Sequence, residues 1–256
     1  MVKSSNCTAH TPRLAAKPLS RRRRGRKESD VDYGKAFTGL VTCDLSDACD
    51  ALGVRSVTSG SPKPIYSPCR PVCGPVVTLD LEVGAEGSVV IGTLEAIVSA
   101  AAGSVIVISA NGHDELNTWG SIAGNVAVQE RMGGVVIDGA TRDVQNMREL
   151  DLPTYATGTA VASVRGRIGM KSYNEPITFA GNSIQPGWIV AADENGVVFF
   201  PADRARDIFH HAYRVAALEH KTVQAIRHGA DAVEIHKAMR YDASWTDQLA
   251  DDTLGG

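Results

Sequence analysis

Apolar and polar positions change their spacing several times along the chain, and each change marks an element. Val105-Ile106-Val107-Ile108 and Val135-Val136-Ile137 are unbroken apolar runs of strand length, the pattern of parallel strands covered on both faces. Between them, Ser121 to Met132 reads as a helix with Ile122, Val126 and Met132 on one face, ended by Gly133-Gly134. A second helix is expected over Val144 to Leu150, and Pro153 begins a further extended region. Parallel strands joined through a helix take a right-handed crossover. The loops after both strands, 110–120 and 138–142, then lie on one sheet edge, where open α/β sheets bind ligands. Segments 110–123 and 138–143 are therefore expected to face one another across a crevice.

Upstream, Asp44 to Gly53 reads as a short helix, capped by Asp44 or Ser46 and stopped by Gly53. The proline-rich stretch 62–75 reads as a loop, 76–81 as a partly alternating strand, and Thr93 to Ala102 as a small-residue helix ending at Gly103. Downstream, 188–193 and 196–200 are two short strands around the turn Asp193-Glu194-Asn195-Gly196, a hairpin signal. Pro201 to His228 is a long amphipathic helix with Ile208, Ala212, Val215, Val223 and Ile226 at helical spacing.

Composition narrows the class. With 43% hydrophobic and 21% charged residues, the chain has enough apolar side chain for a sizeable core, which excludes a fully disordered protein. No stretch approaches the roughly 20 apolar residues that a membrane helix needs, so no membrane partner is expected. Charge is split: residues 1–27 hold nine Lys or Arg and no acid, while the rest carries 17 basic and 29 acidic residues. The acidic body is a poor nucleic-acid binder. The basic stretch is expected to be a disordered extension over 1–30, followed by an α/β domain over 31–230 and a polar tail over 231–256. Five cysteines without a preceding apolar leader point to a reduced, cytoplasmic setting. Cys69 and Cys73 lack the second pair a zinc site needs, and His210, His211, His220, His228 and His236 read as surface residues.

Several motifs are missing. The chain has no G-x-x-x-x-G-K-[ST], no G-x-G-x-x-G after a strand and no H-E-x-x-H. Ser121 stands one residue too early for a G-x-S-x-G elbow. What remains is the crevice. Gly120 opens the helix at 121, whose first N–H groups, on Ser121, Ile122 and Ala123, lack partners inside the helix and suit a carboxylate, or form a plain helix cap. Arg142-Asp143 follows the second strand. The guanidinium suits a carboxylate or enolate, and a lone Asp suits a hard divalent cation that keeps its waters. Alternatively, Asp143 caps the next helix and Arg142 is a surface residue.

Gly120 and Arg142-Asp143, separated by a helix and Gly134-Val135-Val136-Ile137-Asp138-Gly139, resemble the RraA-like family, which includes the class II 4-hydroxy-4-methyl-2-oxoglutarate aldolases. Further matches are Ser46 to Gly53, Cys73 to Thr78, Trp119-Gly120, Leu152-Pro153 through Tyr155-Ala156, and Pro186-Gly187 through Val198, so the resemblance runs from about 39 to 229. It implies a single compact domain, a layered α/β/β/α sandwich of the swivelling-domain-like type, assembled as a homotrimer or hexamer. It also implies a lyase that uses Mg²⁺ or Mn²⁺ to release pyruvate from 2-oxo acids, by retro-aldol cleavage or oxaloacetate decarboxylation. By the same resemblance Gly120, Ser121, Ile122 and Ala123 bind the pyruvyl carboxylate and oxo group, Arg142 holds the same fragment and acts in catalysis, and Asp143 ligates the metal. Asn146 and Ser121 stand where family members often carry an acid; Ser at the latter position is closer to the regulators of ribonuclease E. The alternative implied function is a non-catalytic regulator that binds and inhibits an RNA-processing enzyme. Lys171 lies outside the two converging loops and is given no catalytic role, and Glu219 reads as part of a solvated helix face.

Overall fold

The computed structural model describes residues 31–239. The expected basic extension over 1–30, and the tail beyond 239, lie outside the described residues. The chain opens with α1 (Tyr33–Ala36) and α2 (Thr42–Ala51), then β1 (Val57–Ser59), β2 (Lys63–Pro64) and the long β3 (Val72–Glu82). The crossover region follows: α3 (Val89–Ser99), β4 (Val105–Ser109), β5 (Leu116–Trp119), α4 (Ser121–Gln129), β6 (Gly134–Thr141), α5 (Val144–Glu149) and β7 (Thr154–Thr159). Short strands come next, β8 (Ala162–Ser163), β9 (Gly169–Tyr173), β10 (Ile177–Phe179) and β11 (Asn182–Ile184), then the hairpin β12 (Ile189–Asp193) and β13 (Gly196–Phe200), and finally α6 (Ala205–Arg227) and α7 (Ala232–Met239).

One curled sheet runs in the order β1-β13-β12-β3-β4-β6-β5-β8, with β7 and β9 attached to β6 and β3. The length of β3 makes the curl possible. Its first residues, Val72 to Pro75, pair antiparallel with β12, and Val76 to Asp80 pair parallel with β4. The same strand thus belongs to both halves of the sheet.

Strict alternation along the strands sorts the side chains into three interlayer cores. Ile106 and Ile108 of β4, with Val135 and Ile137 of β6, face α3, α4 and α5. Val105, Val107 and Val136 point the other way and meet Val190, Ala192, Val197 and Phe199 of the hairpin between the two halves of the sheet. Ile189, Ala191, Val198 and Phe200 face outward onto α2 and α6. The result is a helix, sheet, sheet, helix stack, so the expected mixed α/β layering is realised, and the described residues from Asp32 onward form one compact unit. Because β4, β6, β12 and β13 lie between two apolar layers, their sequences read as unbroken apolar runs.

Several boundaries differ from the sequence expectation. The segment 62–75 is not loop throughout: β3 starts at Val72, with Pro75 placed just before pairing to β4 begins, where its missing N–H breaks no ladder bond to that strand. The 110–120 loop contains β5, all four of whose residues are buried. The second loop is shorter than expected, because Ala140 and Thr141 of β6 pair with both β5 and β7. The expected helix over 93–102 is α3, shifted to 89–99 and capped by the Ser88 hydroxyl, which accepts from Ile91 N at 3.3 Å. In α4, Ile122 is exposed and Met132 lies beyond the helix end, so the expected shared face gives way to a buried stripe of Gly124 and Ala127. The polar tail is helical over α7.

Helix α2 begins at Thr42, and neither Asp44 nor Ser46 caps its open N–H groups. The cap comes from 151 residues away: Asp193, at the hairpin turn, accepts from Thr42 N at 2.7 Å and Thr42 Oγ1 at 2.8 Å. Asp44 instead accepts from Val41 N at 2.8 Å.

Candidate functional site

Strand β6 carries the chain to Arg142 and Asp143, and β5 carries it to Gly120, on the same sheet edge. The two strand ends are tied together. Arg142 N donates to Trp119 O at 3.1 Å, Thr141 Oγ1 donates to the same carbonyl at 3.0 Å, and Thr118 Oγ1 donates to Ala140 O at 3.1 Å. Asp143 then turns the chain sharply into α5 with a left-handed backbone, φ 58° and ψ 38°, a conformation that only a few per cent of non-glycine residues adopt. Its side chain does not cap α5.

That turn aims the Asp143 carboxylate across the crevice. Oδ2 accepts from Ser121 N, the first N–H of α4, at 2.8 Å. A carboxylate there is stabilised by the positive end of the helix. Arg142 Nε lies 3.9 Å from the same oxygen. Gly120 is required by this closeness rather than by its backbone angles: a Cβ there would come within 2.9 Å of Asp143 Oδ2 and 3.6 Å of Arg142 Cγ. Gly124 serves the same end a turn later, since a Cβ there would lie 2.5 Å from Met147 Cε, so α4 can pack closely on α5.

All six sequence-predicted site residues, Gly120, Ser121, Ile122, Ala123, Arg142 and Asp143, line one cleft of about 90 Å³. They do not stand equally free. The Ser121 N–H is taken by Asp143, whereas Ile122 and Ala123 keep the first-turn N–H groups that no i−4 carbonyl can satisfy. Arg142 Nε is buried and has no hydrogen-bond partner. Asn146, which stands where family members often carry an acid, receives Asn125 Nδ2 at 3.3 Å.

Sequence reasoning missed the rest of the cleft. Val89, Val90 and Leu94 of α3 form an apolar wall, Val164 and Arg165 follow β8 at the mouth, and Asn117 of β5 lies on the floor. The wall arrives through the fold, so no local signal marks it. Asn117 had a signal: a polar residue two positions before Trp119-Gly120 becomes conspicuous once that segment is seen as a buried strand.

Elsewhere, His211 corrects the expectation of surface histidines. It is 7% exposed, its Nε2 has no partner, and burial, with Arg214 and His210 nearby, lowers its pKa from the ordinary 6.5. Lys171 is held by Glu82 at 3.2 Å and Asp80 at 3.3 Å, which raises its pKa and keeps it an ammonium rather than a nucleophilic amine. Glu219 is exposed on α6. Burial pushes the Cys49 thiol up to about 12 and also raises Cys43 and Cys73, so these groups stay protonated.

Among the described residues no cluster of three or more His, Cys, Asp or Glu comes together. The crevice therefore offers a metal one carboxylate, Asp143, which receives one donor from the protein and keeps lone pairs to spare. That donor set suits a hard ion such as Mg²⁺ or Mn²⁺, which would fill its shell with water and ligand oxygens, and does not suit a structural zinc site. Among the described residues no helix is long and apolar enough to cross a membrane.

The chain is 28% identical over 209 residues to a protein from Halalkalibacterium halodurans named as a putative 4-hydroxy-4-methyl-2-oxoglutarate aldolase, a match covering 82% of this chain and 95% of that one. It is also 28% identical over 209 residues to the protein DlpA of Legionella pneumophila, but there it spans only 34% of the relative's length. Among solved structures, an uncharacterized protein from Pseudomonas syringae superposes with a TM-score of 0.72 at 26% identity, covering 80% of this chain and 92% of that one. RraAS2 of Streptomyces coelicolor, described as an unusual member of the RNase ES inhibitor RraA protein family, shares the fold with a TM-score of 0.66 at 22% identity, over 80% of this chain and all of that one. The profile of the RraA-like family, described as Aldolase/RraA, matches residues 42–199, which span both strands of the crevice and the hairpin, and the chain belongs to that family.

Proposed function

We propose that the protein is a divalent-metal-dependent lyase acting on 2-oxo acids, releasing pyruvate through an enolate by retro-aldol cleavage of 4-hydroxy-2-oxo acids, by oxaloacetate decarboxylation, or by both. The observation that carries the reading is the Arg142 guanidinium, its Nε buried without a partner at the cleft that Asp143 and the first turn of α4 also line. A buried N–H of a cation with nothing to bond is costly, and an anionic ligand removes the cost.

Both reactions share one demand. When the bond beyond C3 breaks, its electron pair moves onto the C2 oxygen, and negative charge builds there. Positive charge fixed beside that oxygen before the reaction lowers the barrier. In this reading Arg142 supplies it from one side. The free N–H groups of Ile122 and Ala123 receive the C1 carboxylate, at the end of α4 where the helix favours an anion. Asp143 holds the divalent ion, which when bound would polarise the oxo group and a water molecule. The Ser121 N–H and the Gly120 gap hold Asp143 in position for that task. No Schiff-base lysine is needed, in keeping with the ion-paired state of Lys171. The name of the Halalkalibacterium relative supports the same chemistry.

Assembly as a homotrimer or hexamer belongs to this reading. Ile91 and Val98 of α3 and Ile122 of α4, each more than half exposed beside the cleft, give a second copy an apolar face to cover. Light scattering on the purified chain tests it, and a monomer at micromolar concentration would contradict it.

The functional test is pyruvate release from oxaloacetate and from a 4-hydroxy-2-oxo acid with Mg²⁺ or Mn²⁺, with and without a chelator. The expected result is turnover that the chelator abolishes and fresh metal restores. No metal-dependent turnover above buffer with either substrate would overturn the lyase reading and favour a non-catalytic regulator.

A further inference from the structure

Asn117 is 6% exposed and sits on the floor of the cleft. Its Oδ1 is buried with no hydrogen-bond partner, and no described residue bonds its Nδ2. Its neighbours are not in that state. Thr118 Oγ1 on the same strand and Thr141 Oγ1 across from it both bond backbone carbonyls. Buried carboxamides are nearly always satisfied, and an exception at a cleft is what a ligand would complete. The register fixes its place: Asn117 pairs with Ala140, two residues before Arg142 along β6. The carboxamide and the guanidinium, whose Nε also lacks a hydrogen-bond partner, line the same cleft.

We propose that Asn117 is a specificity-determining residue that recognises the hydroxyl next to the bond being cleaved in a 4-hydroxy-2-oxo acid, so that the cleft favours hydroxylated substrates over oxaloacetate. The inference rests on the enolate reading above and adds to it. The two reactions share C1 to C3, which Arg142 and α4 serve, and differ at the next carbon. A retro-aldol substrate carries a hydroxyl there, which both donates and accepts hydrogen bonds. Oxaloacetate has a carboxylate, which only accepts. A carboxamide offers an N–H donor side and a carbonyl acceptor side, and with neither bonded to the protein it can turn either toward a hydroxyl. A carboxylate can only accept, so it pairs with Nδ2 and leaves the buried Oδ1 without a donor, whereas a hydroxyl can also donate to Oδ1. In the retro-aldol step the hydroxyl proton passes to solvent base, the C3–C4 pair moves into the enolate, and the hydroxyl oxygen leaves as the carbonyl of the second product. Asn117 Nδ2 can stay bonded to that oxygen throughout. Sites that pair a substrate hydroxyl with buried polar groups discriminate strongly against analogues that lack it.

The experiment compares the full-length wild type with Asn117→Ala on a 4-hydroxy-2-oxo acid and on oxaloacetate, both followed by pyruvate release with Mn²⁺ present, and measures competitive inhibition by oxalate as a probe of the pyruvyl end. The expected result is a fall in kcat/KM for the hydroxy substrate that exceeds the fall for oxaloacetate by about ten-fold or more, with oxalate inhibition kept. Equal losses on both substrates, or no loss on either, would overturn the role of Asn117 while leaving the enolate reading in place, as would a wild type that decarboxylates oxaloacetate but cleaves no hydroxy acid. A wild type active on neither substrate would overturn both. If Asn117→Ala lowers Tm enough to cloud the rates, Asn117→Leu fills the same volume without polar atoms, and the same ratio decides.

Discussion

Gly120→Ala isolates the geometry of the crevice from its chemistry. The added methyl lands 2.9 Å from Asp143 Oδ2, closer than real Cβ contacts come, while φ of −161° is extended backbone that alanine adopts without strain. The Asp143 carboxylate must therefore swing away, and the bond it accepts from Ser121 N at 2.8 Å goes with it. A hydrogen bond to a charged group contributes about 1.5–3 kcal/mol. This carboxylate is 37% exposed, so solvent screening cuts the value to about 1 kcal/mol. For a domain of this size that corresponds to a fall in Tm of roughly 2–4 °C, with cooperative unfolding preserved. Activity should respond far more steeply, because a displacement of about 1 Å in a metal ligand or positioning group costs on the order of 100-fold in rate. Differential scanning fluorimetry and metal-dependent pyruvate release, run on the same preparation, separate the two effects. A variant with unchanged Tm and wild-type turnover would refute the reasoning, since the carboxylate could not then occupy the position that drives it. A loss of about 10 °C or more, well beyond the shift worked above, would show that Gly120 serves the fold instead.

Four further outcomes follow from the same structure. Asp143→Asn keeps the shape and the contact with Ser121 N but removes the charge, so metal-dependent pyruvate release should fall to background while stability changes by less than about 1 kcal/mol; retained turnover would exclude Asp143 as the metal ligand. Arg142→Ala should lower kcat by roughly 100- to 1000-fold, the usual effect of removing a fixed charge stabiliser, with near-native circular dichroism; a change confined to KM would make Arg142 a binding group only. His211 has a lowered pKa through burial, so the folded state takes up its proton less readily than the unfolded chain, and stability should be fully present above pH 6.5 and decline as pH falls below it; in Asn, Leu or Phe variants of His211 the difference in Tm between about pH 7.5 and about pH 5.5 should shrink, and an unchanged difference would locate the acid sensitivity elsewhere. Removing residues 1–28 should leave turnover unchanged, and a large loss would show that the basic segment contributes to the reaction.

Legibility in the sequence followed the number of buried faces. Strands β4, β6, β12 and β13 carry apolar layers on both sides, so their apolar runs stood out, and the hairpin turn at 193–196 announced itself through Asn195-Gly196. Strand β5 did not, because Leu116-Asn117-Thr118-Trp119 is polar at its centre and one of those polar groups is satisfied across the sheet, Thr118 by Ala140 O. Short strands such as β8 and β11 hold two or three residues with exposed faces, too few to show a period. The Asp193 cap on α2 could not be read locally, since donor and acceptor lie 151 residues apart. The convergence of 120–123 with 142–143 was legible because it follows from chain topology: two parallel strands with a right-handed crossover place their outgoing loops on one edge whatever the side chains are. The opposite wall depends on where α3 and the segment after β8 settle, which no rule of connection fixes.

Hydrogen-bond accounting sets the crevice carboxylate apart from the more fully bonded Asp193 and Asp80. A carboxylate has about four acceptor sites. Asp193 fills three with Thr42 N, Thr42 Oγ1 and Asn195 N, and it joins the hairpin to α2 by doing so. Asp80 is met by Asn111 Nδ2 at 2.8 Å and the Lys171 ammonium at 3.3 Å, so both its oxygens are occupied and its charge is balanced. Asp138 binds Ala180 N at 2.7 Å, outside the 142–143 crevice. Asp143 differs in setting, because it lines the cleft together with Arg142. It takes one backbone N–H, its neighbouring cation stands at 3.9 Å, too far for a hydrogen bond, and its residue adopts a left-handed backbone that costs about 1–2 kcal/mol outside glycine. A carboxylate with one backbone donor beside a guanidinium whose Nε has none leaves acceptor and donor capacity that folding does not use. The arrangement becomes favourable once an anion bridges Arg142 and a cation meets Asp143, which is the order of charges that an enolate and its metal present.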